Sequence, residues 1–209
     1  MARAFAEIAF TPAVREQQEY FGSAKSYARM LGTQVPRGDR LGAAEAKFIS
    51  EIDGFYQASV NSDGWPYVQF RGGPAGFLRV VDETTIAYAD YRGNRQYLSI
   101  GNFAGEDRVA LILMDYAHRR RLKIWGRAGV VRADDDPGLV SFLHDPAYRA
   151  IPESAVVISI EALDWNCPAH IPERLTVTQL GTELSELRGQ VAALTDDNRA
   201  LRTALSHAK

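Results

Sequence analysis

The chain of 209 residues has a single cysteine, Cys167. No internal disulfide is therefore available, and a zinc site built from several thiolates is excluded. Long apolar runs are missing too: nothing approaches the roughly 18 consecutive apolar residues of a membrane span. The opening segment, MARAFAEIAFTPAVREQQ, has no extended apolar stretch of the kind a secretory signal needs. Charge of either sign is not in excess. With 24 Lys and Arg against 26 Asp and Glu, the net charge of −2 gives no basis for coating nucleic acid or an anionic membrane. The histidines His118, His144, His170 and His207 are scattered and give no metal-ligand spacing. HExxH, GxSxG, Walker A and GxGxxG motifs are absent. The expectation is a soluble, cytoplasmic protein with no metal, no nucleic-acid partner and no membrane partner, in which any anion site is local.

Hydrophobic residues make up 46% of the chain, enough for an ordinary globular core, and its length favours one domain with an appendage. Thr11 before Pro12 marks a helix start, and the pattern after it predicts a helix to about Met30, stopping before Gly32. A second helix is expected over Ala43–Ile52, with Phe48, Ile49 and Ile52 on one side. Strands then dominate: Phe55–Val60, Tyr67–Arg71, Phe77–Val81, Ile86–Ala89, Val109–Met114, Arg121–Val131 and Val156–Ile160. Ser62-Asp63-Gly64 signals a hairpin turn, and Asp82-Glu83-Thr84 another turn. Val109–Met114 is apolar throughout, which predicts burial on both faces. A short helix is expected over Leu139–Leu143. The fold class that follows is mainly β with flanking helices (α+β), a barrel or sandwich.

The tail changes character. Val177, Leu180, Leu184, Leu187, Val191, Leu194, Asn198, Leu201 and Leu205 are spaced alternately three and four apart, a coiled-coil seam. Position a holds Val177, Leu184, Val191, Asn198 and Leu205, and every d is leucine. β-branched residues at a, leucine at d and one Asn at a favour a parallel pair of helices. Glu183 would face Arg188 of a second copy, and Asp197 would face Arg202, exposed pairs worth about 0.2–1 kcal/mol each that choose orientation more than they stabilise. The rival is an amphipathic helix packed on its own barrel, with Gly181 and Gly189 each weakening the helix by about 1 kcal/mol. Two regions are therefore expected: 1–174, a β-barrel domain with N-terminal helices, and 175–209, the coiled-coil helix.

Arginines cluster where strands end. Tyr91-Arg92-Gly93-Asn94-Arg95 offers two bidentate forks, an amide donor and a glycine able to take φ > 0 and turn amides toward an anion. The plainer alternative is a solvated turn ahead of a helix near Gln96. Along Arg121–Trp125 the alternation sends Leu122 and Ile124 one way, and Arg121, Lys123 and Trp125 the other. That second face would suit a ligand's phosphate or pyrimidine edge, or would simply be an outward, charged strand face. Arg71-Gly72-Gly73-Pro74 is either a strand end brought close to a ligand or a wide turn. Cys167 and His170 sit three apart in a proline-stiffened loop, conceivable as a nucleophile pair but more simply structural.

Four ordered blocks, RGGPAGFLRV, DYRGNRQYLSIGN, LMDYAHRRRLKIWGRA and DWNCPAHIPER, resemble those of a bacterial branch of the pyridoxamine 5′-phosphate oxidase-like flavin proteins. The likeness runs from about Phe10 to Arg174 and leaves the tail outside. It implies an FMN-binding split β-barrel and a homodimer with two FMN sites at the interface. It also implies an oxidoreductase acting on a small-molecule substrate. By the same resemblance Arg71, Gly72, Tyr88, Ala89, Arg92, Asn94 and Arg95 would contact FMN, with Tyr88 or Trp125 as a stacking wall. Arg121 would reach in from the partner side, with Lys123 beside it. The oxidase proper ends in a tryptophan followed by an Arg-x-His motif. Here Trp165, His170 and Arg174 are chemically reminiscent but differently spaced, which argues against vitamin B6 as the substrate. The alternative function is a non-catalytic flavin, haem or deazaflavin binder or sensor, with the coil mediating assembly.

Overall fold

The computed structural model describes residues 1–165 and 168–207, without the side chains of 205–207. It begins with a helix that the pattern did not predict, α1 (Arg3–Ala9), and then has two short helices where one long one was predicted, α2 (Pro12–Tyr20) and α3 (Ala24–Ala28). Thr11 caps α2 as expected, its Oγ1 accepting the Val14 N–H at 3.3 Å. The helix does not run on to Met30, because Gly22 adopts φ +74° and turns the chain in the left-handed region. The next helix, α4 (Ala43–Glu51), is the second predicted one, and Phe48 and Ile49 are its buried residues.

Seven strands follow: β1 (Gly54–Val60), β2 (Pro66–Gly72), β3 (Arg79–Asp82), β4 (Thr85–Tyr91), β5 (Arg108–Asp115), β6 (Arg120–Arg132) and β7 (Pro152–Trp165). Helix α5 (Leu98–Gly105) lies between β4 and β5, and α6 (Pro137–Leu143) between β6 and β7. All neighbours are antiparallel, in the order β2-β1-β5-β6-β7-β4-β3. The mainly-β architecture with flanking helices is as expected. Gln57 on β1 and Tyr88 on β4 are far apart in that order, yet Tyr88 Oη donates to Gln57 Oε1 at 2.7 Å. The sheet therefore curls until its ends meet, around a core of Phe55, Phe77, Leu111, Leu122, Ile124 and Ile158.

Two strands depart from their predicted form. β5 is not buried on both faces. Val109, Leu111 and Leu113 point into the core, while Ile112 on the other face is 37% exposed. Its apolar run records an outer face that this single chain leaves open. The face continues across the register, where Tyr56 pairs with both Phe70 and Ile112, and Phe70 is likewise exposed.

β7 is much longer than Val156–Ile160, because a bulge interrupts its alternation. Trp125 pairs with Ala162 and Gly126 with Ile160, so Glu161 is passed over. Val156, Ile158 and Ile160 face the core, and beyond the bulge Leu163 does so instead. Ala162 packs with Phe5 of α1 on the opposite side. Gly126 permits this close approach, since a Cβ there would stand 2.3 Å from the Ser159 carbonyl oxygen.

The chain divides into two units, Met1–Asp115 with Arg120–Ala169, and Tyr116–Arg119 with His170–Lys209. Within the second, Arg119 Nη2 donates to Glu173 Oε2 at 2.7 Å and the Arg174 guanidinium lies 4.9 Å from the Tyr116 ring centroid. Helix α7 (Val177–His207) carries the tail. Its described apolar seam residues are all exposed, between 44% at Leu184 and 90% at Val177. No helix among the described residues is long and apolar enough to cross a membrane.

Candidate functional site

β2 alternates so that Tyr67, Gln69 and Arg71 face one way, and β4 so that Tyr88 and Asp90 face the barrel interior. Where the two strands end, these side chains meet. Arg71 Nη1 donates to Asp90 Oδ1 at 2.5 Å, with the side chains only 15% and 8% exposed. Above this pair opens a cleft of about 240 Å³, walled by Arg71, Asn94, Arg95, Tyr97 and Glu153. The first turn of α5 closes it, with Ser99 Oγ donating to Gln69 Oε1 at 3.2 Å.

The 92–97 turn is held from β7. Glu153 accepts Arg92 Nε at 2.6 Å and the Tyr97 hydroxyl at 3.2 Å. Tyr97 Oη in turn accepts Arg95 Nε at 3.3 Å, and Asn94 Nδ2 donates to Gln96 Oε1 at 3.2 Å. The residues with positive φ are Arg95 (62°) and Tyr97 (55°), not Gly93. Such conformations cost an L-residue roughly 1–2 kcal/mol and persist where the surroundings impose them.

Charge is unevenly matched here. Burial pushes the Asp90 carboxyl above its usual range, Arg71 pulls it back, and Glu153 adds to the rise. Glu153 is held below its usual range, chiefly by the hydrogen bond from Arg92. Among the described residues no carboxylate lies within ion-pair distance of Arg95. Arg71 Nε is buried with no partner of its own. The site therefore offers one incompletely satisfied guanidinium, one with no carboxylate at ion-pair distance and an amide on a turn tied to Glu153, which together suit an anion.

The remaining sequence candidates are dispersed. Tyr88 is in the core, 1% exposed and packed on Phe55 and Phe77, so its ring face is not free to stack on a ligand. Ala89 faces the other way, beside Val140 and Leu143 of α6. Gly72 ends β2 opposite Gly54. Arg92 borders a second, more open cleft of about 520 Å³ with Arg132 and Asp134, which shares Tyr97 and Glu153 with the first. On β6, Lys123 is drawn to Asp164 at 3.6 Å and Trp125 stacks on Phe5 at 4.3 Å. Arg121 faces Met114 across the ladder, its Nε buried without a partner. Trp165 donates to Glu45 Oε1 at 2.7 Å and packs edge-on against Phe48. His170 and Arg174 belong to the second unit. The conceivable pair of Cys167 with His170 falls partly outside the described residues, since Cys167 is not among them. No group of three potential metal ligands is found among the described residues.

Sequence reasoning missed Asp90, Glu153, Gln69 and Tyr97. Gln69 had a readable signal, standing two residues before Arg71 on one strand face. Asp90 had the same one, two residues after Tyr88 on one strand face; Glu153 had none, because it reaches the turn from β7, far along the chain.

The family model for pyridoxamine 5′-phosphate oxidase matches residues 41–165, more than half of the chain, and the chain belongs to that family. No curated protein matches it. Among solved structures, an FMN-binding protein from Syntrophomonas wolfei aligns over 71% of this chain and 97% of its own, at 7% identity and TM-score 0.47. HupZ from Group A Streptococcus aligns over 59% and 91%, at 12% identity and TM-score 0.45. General Stress Protein 26 from Bacillus anthracis aligns over 57% and 88%, at 13% identity and TM-score 0.44.

Proposed function

We propose that the 1–174 region binds FMN and works in the cytoplasm as an oxidoreductase on a small substrate. The observation that carries this is the convergence of Arg71, Asn94 and Arg95 on one cleft, with Arg95 held left-handed and unpaired by a carboxylate. A phosphate dianion would supply Arg71 and Arg95 with the acceptors they lack. FMN would bring reversible hydride chemistry; the protein binds and orients it.

At about 240 Å³ the cleft is smaller than the ~300–1,000 Å³ typical of whole-ligand pockets. By itself this cleft has room for the phosphate end of FMN but not for its ring system. A homodimer would complete the site. Support comes from the open outer face around Tyr56, Phe70 and Ile112, and from Arg121 on that side of the sheet with a buried, unpartnered Nε. In this reading Arg121 serves a site shared with the second copy, while Lys123, engaged by Asp164, contributes to the field rather than to a contact.

A second reading, a non-catalytic flavin, haem or deazaflavin carrier or sensor, is favoured by one feature, the exposed seam of α7. Truncation after Arg174 separates the two. Flavin reduction that survives favours the enzyme, and loss of a partner alone favours the sensor.

The first experiment is the visible spectrum of the full chain after incubation with FMN and desalting. About one retained flavin per chain is expected, with riboflavin, which has no phosphate, washing out. Loss of FMN in the same wash, with haem or deazaflavin retained, would overturn the assignment.

A further inference from the structure

We propose that α7 is one strand of a parallel, in-register, two-stranded coiled coil formed with a second copy of this chain. The proposal is independent of the flavin reading, because it rests on the second unit alone. Val177–His207 is a single helix of 31 residues. Its described seam leucines and valines are between 44% and 90% exposed, an apolar stripe broken by Asn198 and left uncovered among the described residues. The stripe keeps the three-and-four spacing throughout, the narrow seam of a helix pair rather than the broader face of a helix lying on a globular core.

Charge chooses both the occupant and its direction. The charged e positions are Arg188 and Arg202, and the charged g positions are Glu183 and Asp197. In a parallel pair, g of one helix meets e of the other five residues on, so Glu183 meets Arg188 and Asp197 meets Arg202. In an antiparallel pair, e would face e and g would face g, setting arginine against arginine and acid against acid. The helix is therefore complementary to itself in one direction only.

Asn198 argues the same way. It is the polar a residue of the described seam, and in register it stands beside its own copy, where two amides bond across the axis. In the single helix, Arg202 Nε donates to Asn198 Oδ1 at 2.8 Å. Pairing releases both groups, Asn198 to its copy and Arg202 to Asp197 of the second copy.

Because the barrel also forms a dimer in the reading above, mass alone cannot test this. The full chain carrying Cys167→Ala is instead given one new thiol at a time: Leu180→Cys or Leu201→Cys on the seam, or Thr182→Cys on the opposite face. Under mild oxidation each seam variant is expected to form a covalent dimer by itself, at least tenfold faster than the Thr182 variant. The two seam sites lie at opposite ends of the helix, so local fraying at one leaves the other to report. Seam variants that link only when mixed with each other would show an antiparallel pair and overturn the proposal. Equal rates at all three positions, or no linkage at either seam site, would overturn it as well.

Discussion

Tyr88 donates its phenolic hydrogen to Gln57 Oε1 at 2.7 Å, joining β4 to β1 through the barrel interior. Burial raises the Tyr88 pKa well above that of a free phenol, so the hydroxyl remains a donor. Gln57 Nε2 is already buried without a partner. Tyr88→Phe would strand the oxygen as well. The expected cost is about 1–3 kcal/mol, read from urea midpoints. FMN should still be retained, because the ring lies in the core and phenylalanine keeps the face that the Arg71 guanidinium covers at 5.9 Å. A large loss of flavin without loss of stability would restore Tyr88 to the ligand site.

Arg95→Gly separates conformation from charge. Relief of the left-handed arginine, roughly 1–2 kcal/mol, is offset by about 0.5–1 kcal/mol of added backbone freedom. Stability should stay within about 1 kcal/mol of the parent, while FMN affinity falls at least tenfold. Unchanged affinity in a titration would remove Arg95 from the phosphate clamp.

Asp90→Asn tests the buried pair by its pH dependence. The folded carboxyl titrates above its ordinary value of 3.8, mainly because it is buried. A raised acid binds more protons folded than unfolded, so the parent's advantage over the variant is greatest at low pH. It should shrink as pH rises from about 3.8 through the folded value, then level off. Paired urea titrations from acid to neutral pH measure this. A difference that grows with pH would mean that Arg71 outweighs burial.

Gly126→Ala and Gly129→Ala form a matched test on β6. At Gly126 a Cβ meets the Ser159 oxygen at 2.3 Å, whereas at Gly129 nothing lies within 4 Å. The first should cost about 3 kcal/mol or more, and the second should stabilise by about 0.5–1 kcal/mol. Equal effects in thermal melts would show that the bulge is not fixed by that contact.

The hairpin at Ser62-Asp63-Gly64 was legible because turn chemistry is local, and Gly64 does take φ +84°. The alternation of Leu122 and Ile124 was legible for the same reason. The break at Gly22 was not, since an isolated glycine inside a helical pattern does not announce its φ. Residues 92–95 read correctly as a basic turn, but which residue turns left-handed depends on what Glu153 and Tyr97 hold in place. The partner of Lys123 was not legible, because Asp164 is set opposite it only by the β6–β7 register.

The bulge also bears on the length of the chain. Glu161 has no place in the ladder, and its one described role is to hold Arg127 at 2.7 Å. If it were deleted, Ile160 and Leu163 would still face inward, with Ala162 alone between them facing out. A one-residue deletion elsewhere in a buried strand sends every later side chain to the wrong face. At Glu161, β7 therefore has a position where a residue can be gained or lost without a change of facing, and the paired stretch from Ser154 to Ile160 before it has no such freedom.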